Sequence, residues 1–184
     1  MHVYLVGYRG SGKTTVGKLL AQRLNRPCVD CDDLIESSAG KSIREIFAAE
    51  GEAGFRIRER EEIERLARAA SEQPMVVSLG GGAILSEENR SVICDSGYRV
   101  WLCGSPETLL ARIRSDASTA ARRPALSTLT DYEEIVALLE SRRPLYEAVA
   151  QKIVQTDYLC AESISDDIAV WLSSVTAAVP NTSD

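Results

Sequence analysis

The sequence predicts an α/β domain built on a parallel sheet covered by helices on both faces, a three-layer α/β/α arrangement. Two observations carry this. Short β-rich apolar runs alternate with longer amphipathic segments along the 184 residues, the signature of repeated strand–helix–strand units. The first run also leads directly into a glycine-rich loop of the phosphate-binding type, which belongs between a strand and a helix.

The strand candidates are Val3–Val6, Cys28–Asp32, Met75–Leu79, Arg99–Cys103 and Lys152–Thr156. Val16, Leu19, Leu20 and Leu24 recur at helical spacing and place a helix over Lys13 to Leu24. Ser42-Ile43-Arg44-Glu45 is a capping box opening a helix to about Glu50. From Glu52 to Ala70, Arg and Glu are mixed at spacings of three and four, which gives a solvated helix with one apolar face. Ser105-Pro106-Glu107 sets a cap before a proline at the first helical position. Thr130 and Glu133 open a helix ending near Tyr146, and a last one covers roughly Glu162 to Ala177. A single domain is expected over residues 1–177, with 178–184 as a frayed tail. The polar gap at about 115–128, which holds Arg122-Arg123-Pro124, is long enough to be either disordered or a functional lid.

Composition narrows the partners. With 45% apolar and 26% charged residues the chain is ordinary for a soluble globular protein. A net charge of −6 argues against nucleic acid, so any anionic ligand must be held by local positive charge. Val3–Val6 is far too short to span a membrane, and the first residues do not form a signal peptide, so a cytoplasmic protein is expected. Five cysteines make an odd count. Cys28 and Cys31 have CxxC spacing, but no second such pair or His pair follows, so reduced thiols are expected rather than a metal or redox centre.

The loop Gly7-Tyr8-Arg9-Gly10-Ser11-Gly12-Lys13-Thr14 matches G-x-x-x-x-G-K-[ST]. Glycines let the backbone curl so that successive amides point at phosphate oxygens, and the helix that follows adds its N-terminal partial charge. Lys13 is placed to reach the β- and γ-phosphates of ATP, and the Thr14 hydroxyl to bind Mg²⁺. Facing this, the second strand ends Val29-Asp30-Cys31-Asp32. Two carboxylates two residues apart on a strand share a face, so one could meet hydrated Mg²⁺ while the other orients a hydroxyl; a helix cap is the plainer alternative. The third strand runs into Gly80-Gly81-Gly82, a costly triplet whose use is close approach of backbone to a ligand. Arg56 and Arg142 lie among many charges, where solvated ion pairs are the simplest reading of each alone.

Together these segments resemble the shikimate kinase family: Gly7–Thr15, Asp30-x-Asp32, Gly40-Lys41-Ser42-Ile43, Gly51-Glu52 with Phe55-Arg56, Gly80-Gly81-Gly82-Ala83, Arg123-Pro124 and Arg142-x-Pro144-Leu145-Tyr146. The resemblance runs from Val3 to about Thr156. It implies a nucleoside-monophosphate-kinase-like P-loop fold with a five-stranded parallel sheet, a substrate-binding region after the second strand and a mobile lid. It implies ATP as co-substrate, Mg²⁺ as cofactor and shikimate as acceptor; a monomer is expected. By the same resemblance Gly10, Ser11, Gly12, Lys13, Thr14 and Thr15 hold the nucleotide phosphates, Arg112 packs near the adenine, and Asp30 approaches Mg²⁺ through water beside Thr14. Asp32 would contact the acceptor hydroxyl, with Lys13 and Arg123 completing the catalytic set. Arg56 and Arg142 would hold the acceptor carboxylate, Gly80, Gly81 and Gly82 would supply backbone contacts, and Glu59 would support Arg56. The chain departs from the family pattern at Arg123-Pro124-Ala125-Leu126, where leucine commonly follows the proline, and at Thr156–Cys160, which lacks an arginine some members place near adenine.

Two alternatives stand beside a shikimate kinase. Another small-molecule kinase, such as one for gluconate, would not be expected to keep Arg56, Arg142 and the triple glycine together. A nucleotide-binding module without transfer activity could lose Asp32.

Overall fold

The computed structural model describes residues 1–115 and 130–177. Five strands, β1 (His2–Val6), β2 (Cys28–Asp30), β3 (Val76–Ser78), β4 (Gly97–Cys103) and β5 (Lys152–Gln155), form one sheet in the order β2-β3-β1-β4-β5. Every pairing is parallel, as strands joined by helical crossovers require. The chain leaves central β1 toward β2 on one side, while its other neighbour β4 leads to β5. Such a reversal opens a crevice at the carboxyl ends of the strands.

The described helices are α1 (Lys13–Leu24), α2 (Cys31–Ala39), α3 (Ile43–Arg68), α4 (Glu87–Ser96), α5 (Pro106–Ser115), α6 (Asp131–Val149) and α7 (Ala161–Ala177). Side-chain alternation along β1 divides them between the two faces. Val3 and Leu5 pack with Val16 and Leu20 of α1 and Ile164, Ile168 and Leu172 of α7. Tyr4 and Val6 pack on the opposite face with Phe55, Ile63 and Leu66 of α3, Ile93 of α4 and Tyr146 of α6. All five residues of β1 are buried, which is why the strand is almost continuously apolar.

The structure corrects the sequence reading in four places. β2 ends at Asp30, so Asp30 and Asp32 do not share a strand face. Asp30 instead caps α2, accepting the Asp32 amide, and Asp32 lies in the first turn of that helix. A carboxylate that can satisfy an orphan amide ends the strand there. The short helices α2 and α4 have no counterpart among the expected elements; α4 starts from Ser86, whose side chain accepts the Asn89 amide. The two helices expected either side of Gly51 are one element broken by Gly51 at φ 69°, ψ −175°, a conformation essentially confined to glycine. Across that break Arg58 donates to both carboxylate oxygens of Glu50 at 2.9 Å. Finally, α6 runs through Pro144 to Val149 rather than stopping near Tyr146. The expected lid at about 115–128, with Arg123, lies outside the described residues except for Ser115, as does the tail 178–184.

The chain's one histidine is part of the fold. His2 is buried at the start of β1, with Nε2 2.7 Å from the Leu66 carbonyl and Nδ1 accepting the Met75 amide at 3.0 Å. Both bonds are satisfied by the neutral ring, and burial holds its pKa below the usual histidine value. The unfolded chain therefore binds the proton more readily, and stability falls as pH drops through about 6.5 toward the lowered folded value. Urea unfolding at stepped pH should show this slope, and His2→Gln, which can keep both bonds, should flatten it just below about pH 6.5.

Candidate active site

The phosphate loop joins β1 to α1. Gly7, Gly10 and Gly12 have φ of 146°, 78° and 90°. At Gly7 a side chain is also excluded by contact, because a Cβ would lie 2.3 Å from the Leu102 carbonyl oxygen of β4. The helix α1 begins at Lys13 with no side-chain cap, so its N-terminal amides are open to an anion. Lys13 folds back over the loop, its Nζ donating to the carbonyls of Gly7 and Tyr8 at 2.8 and 2.9 Å.

Asp30 joins the loop to α2. Its Oδ2 accepts the Thr14 hydroxyl at 3.0 Å while its Oδ1 caps Asp32. Burial, then the neighbouring Asp32 carboxylate, push the Asp30 pKa above the usual range, so a cation placed here would relieve both effects. The described residues hold no cluster of three or more His, Cys, Asp or Glu side chains suited to a metal. One hydroxyl and a carboxylate do fit Mg²⁺, which keeps several waters and takes its remaining ligands from phosphate.

The turn after β3 is approached by two arginines distant in sequence. Arg142 of α6 donates to the Gly81 carbonyl at 3.1 Å, and Tyr146, one helical turn on, donates to the same oxygen at 2.7 Å. Tyr146 is itself stacked on Trp101, with ring centroids 5.4 Å apart. Arg56 comes from α3: a Cβ at Gly82 would sit 2.5 Å from its Nη2 and 2.7 Å from its Nη1. The glycine makes room for a guanidinium. Arg56 Nη1 donates to Glu59 at 2.7 Å, and its Nε and Nη2 reach Glu52 Oε1 at 3.3 and 3.1 Å. Burial opposes its charge, but Glu59 and Glu52 more than offset this and leave its pKa raised. Gly82→Ala is therefore expected to fold and to displace Arg56, weakening binding of a carboxylate ligand about tenfold or more, in line with loss of one charge-assisted contact. Equilibrium binding paired with a melting curve checks this; unchanged affinity contradicts it.

Lys13, Thr14, Thr15, Asp30, Asp32 and Gly81 line one cleft of about 630 Å³ at the carboxyl end of the sheet. Gly10, Ser11, Gly12, Gly80 and Arg112 line it too. Arg56, Gly82 and Arg142 are not on its wall and connect to it through the glycine turn. Arg112 of α5 holds the residue after β5, donating to the Thr156 carbonyl at 2.7 Å and hydroxyl at 3.0 Å, and its Nη1 lies 3.5 Å from the Gly10 carbonyl of the phosphate loop. Sequence reasoning assigned no contact to Tyr146 and Glu52, although Arg142–Tyr146 and Glu52–Arg56 are i, i+4 pairs, the spacing that brings helical side chains together.

An all-parallel sheet with this strand order, a lysine-bearing phosphate loop after its central strand and an acidic helix start across the cleft define a P-loop kinase. A shikimate kinase family model matches residues 9–173. A shikimate kinase of Rhodopirellula baltica is 46% identical over 167 residues, covering 91% of this chain and 88% of that one. One from Symbiobacterium thermophilum is 46% identical over 169 residues, with 92% of each covered. Among solved structures, the shikimate kinase from Acinetobacter baumannii in complex with shikimate superposes with a TM-score of 0.85 at 36% identity, covering 95% of this chain and 93% of that one. A gluconokinase from Sinorhizobium meliloti, at 17% identity and a TM-score of 0.56, covering 96% of this chain and 93% of that one, shares the fold alone. The chain belongs to the shikimate kinase family, and is a phosphotransferase with a hydroxyl acceptor.

Proposed function

We propose that this chain transfers the γ-phosphate of ATP to the 3-hydroxyl of shikimate, giving shikimate 3-phosphate and ADP. The observation that carries the reading is the convergence of Arg142 and Arg56 on Gly81 and Gly82, where Gly81 borders a cleft lined by Lys13 and Asp32. Two guanidiniums suit bidentate recognition of a carboxylate and let an acidic protein hold an acidic acceptor.

In this reading Gly10 to Thr15 cradle the phosphates of ATP, with Lys13 exchanging its two loop carbonyls for phosphate oxygens. Thr14 and, through water, Asp30 would hold Mg²⁺. When bound, the ion neutralises charge on the β- and γ-phosphates. Asp32 lines the cleft near the start of α2 and would orient or deprotonate the acceptor hydroxyl. Arg56 and Arg142 would fix the acceptor carboxylate, with Gly80 to Gly82 allowing close approach. Arg112 would flank the base. Arg123 belongs to the catalytic set by family resemblance alone, since it lies outside the described residues. A cytoplasmic enzyme without nucleic-acid or membrane partners fits the composition, and no described helix is long and apolar enough to cross a membrane.

The test is steady-state ADP formation with ATP and Mg²⁺ across a panel of acceptors. Shikimate should be used more efficiently than gluconate or a nucleoside monophosphate, by about 10³-fold or more. Its ring holds a carboxylate and a hydroxyl at one fixed separation, which open-chain gluconate does not, and a nucleoside monophosphate presents no carboxylate. Comparable efficiency with gluconate would sink the assignment.

A further inference from the structure

Arg56 carries two carboxylates of very different character. Glu59, three residues on, has a side chain only 1% exposed and makes the short contact at 2.7 Å. Glu52, four residues back, is 60% exposed and presents a single oxygen to both Nε and Nη2 at 3.3 and 3.1 Å. Those two donors form one of the forked edges by which a guanidinium takes a carboxylate in bidentate fashion. Glu52 thus covers a recognition edge with long contacts, while Glu59 fixes the guanidinium from below with a short one.

The backbone explains why Glu52 is in place. The break at Gly51 starts a new helical segment at Glu52, and long helical side chains lean toward the N-terminus. Arg56 therefore reaches back to Glu52, in the favourable acid-before-base order. Exposed pairs of this spacing contribute little, so Glu52 is easily displaced, whereas a buried partner such as Glu59 is not.

We infer that Glu52 is an internal stand-in for the acceptor carboxylate: it occupies the Nε–Nη2 edge of Arg56 and must give way when a carboxylate substrate binds. The idea rests on the reading of Arg56 as an acceptor-binding residue. It makes Glu52 a specificity-determining group. A neutral acceptor offers nothing that compensates displacement of Glu52, so the pair screens out acceptors that lack a carboxylate. A carboxylate replaces one ion pair by a better one.

The test compares shikimate dissociation constants of the parent protein, Glu52→Gln and Arg56→Lys by calorimetric titration, with ATP affinity as control. Removing a competing exposed carboxylate should tighten shikimate binding about two- to fivefold, with ATP affinity unchanged. Adding salt, which screens exposed pairs, should narrow the gap between parent and Glu52→Gln. Unchanged or weaker shikimate binding by Glu52→Gln would overturn the inference, because a carboxylate that merely orients Arg56 would be missed when removed. The lysine variant separates the two levels. If Arg56→Lys binds shikimate as the parent does, the reading of Arg56 itself fails; if it binds weakly, the Glu52→Gln result alone decides.

Discussion

Asp32→Asn is expected to lower turnover roughly 10²–10⁴-fold, the range associated with losing a positioned acid–base group. ATP affinity should stay close to that of the parent. The structure separates the two effects. Asp32 lies at the start of α2, where its amide rather than its carboxylate completes the Asp30 cap. The Asp30 contact to Thr14 at 3.0 Å does not involve the Asp32 side chain. Asparagine keeps the amide, the size and the helix start, but cannot take a proton from a hydroxyl. Rapid-quench measurement of the transfer step with a parallel ATP titration reads both. Turnover within threefold of the parent would remove Asp32 from the chemistry.

Arg56→Ala carries the second large effect, with a consequence that Arg142→Ala lacks. On the proposed reading each substitution removes a charge-assisted contact to the acceptor carboxylate, so the shikimate KM should rise about 10- to 150-fold in either case. Arg56 also faces Glu59, whose side chain is 1% exposed. Removing the cation beside a buried carboxylate destabilises by a few kcal/mol, so Arg56→Ala should also lower the melting temperature. Arg142 donates to the Gly81 carbonyl, which keeps Tyr146 as a donor at 2.7 Å, so Arg142→Ala should leave stability nearly unchanged. A rise in the ATP KM instead of the shikimate KM would mean that both arginines serve the nucleotide.

Much of this site was legible because its parts obey local rules. The loop from Gly7 to Thr14 needs only curled backbone and a helix start, both encoded within a dozen residues. Helix α1 follows its apolar spacing and occupies Lys13–Leu24 as expected. The boundary at Asp30 was harder. A cap and a strand-end carboxylate look alike in sequence, and the tertiary bond from Thr14 decides between them by adding a second reason for Asp30 to face the loop. Helix α4 was hidden because its ten residues fall between a glycine turn and β4, leaving little periodicity to detect. The helix expected to end near Tyr146 runs through Pro144 and continues three residues past Tyr146, with Tyr146 and Val149 buried against the sheet. Packing outweighed the lost backbone bond.

Long-range pairing was the least legible part. That Arg142 and Arg56 reach adjacent glycines depends on α3 and α6 packing on the same sheet face, which no local pattern states. The requirement for glycine at position 82 becomes clear only once a guanidinium is seen where its Cβ would be.

Identification of the phosphorylated product tests the central claim most directly. Incubation of the protein with ATP, Mg²⁺ and shikimate, followed by ³¹P and ¹H NMR, should show ADP and a new phosphate monoester coupled to the proton at carbon 3 of shikimate. ADP with only orthophosphate, or a phosphate on another hydroxyl, would contradict the proposed arrangement of Asp32, Arg56 and Arg142 around the acceptor.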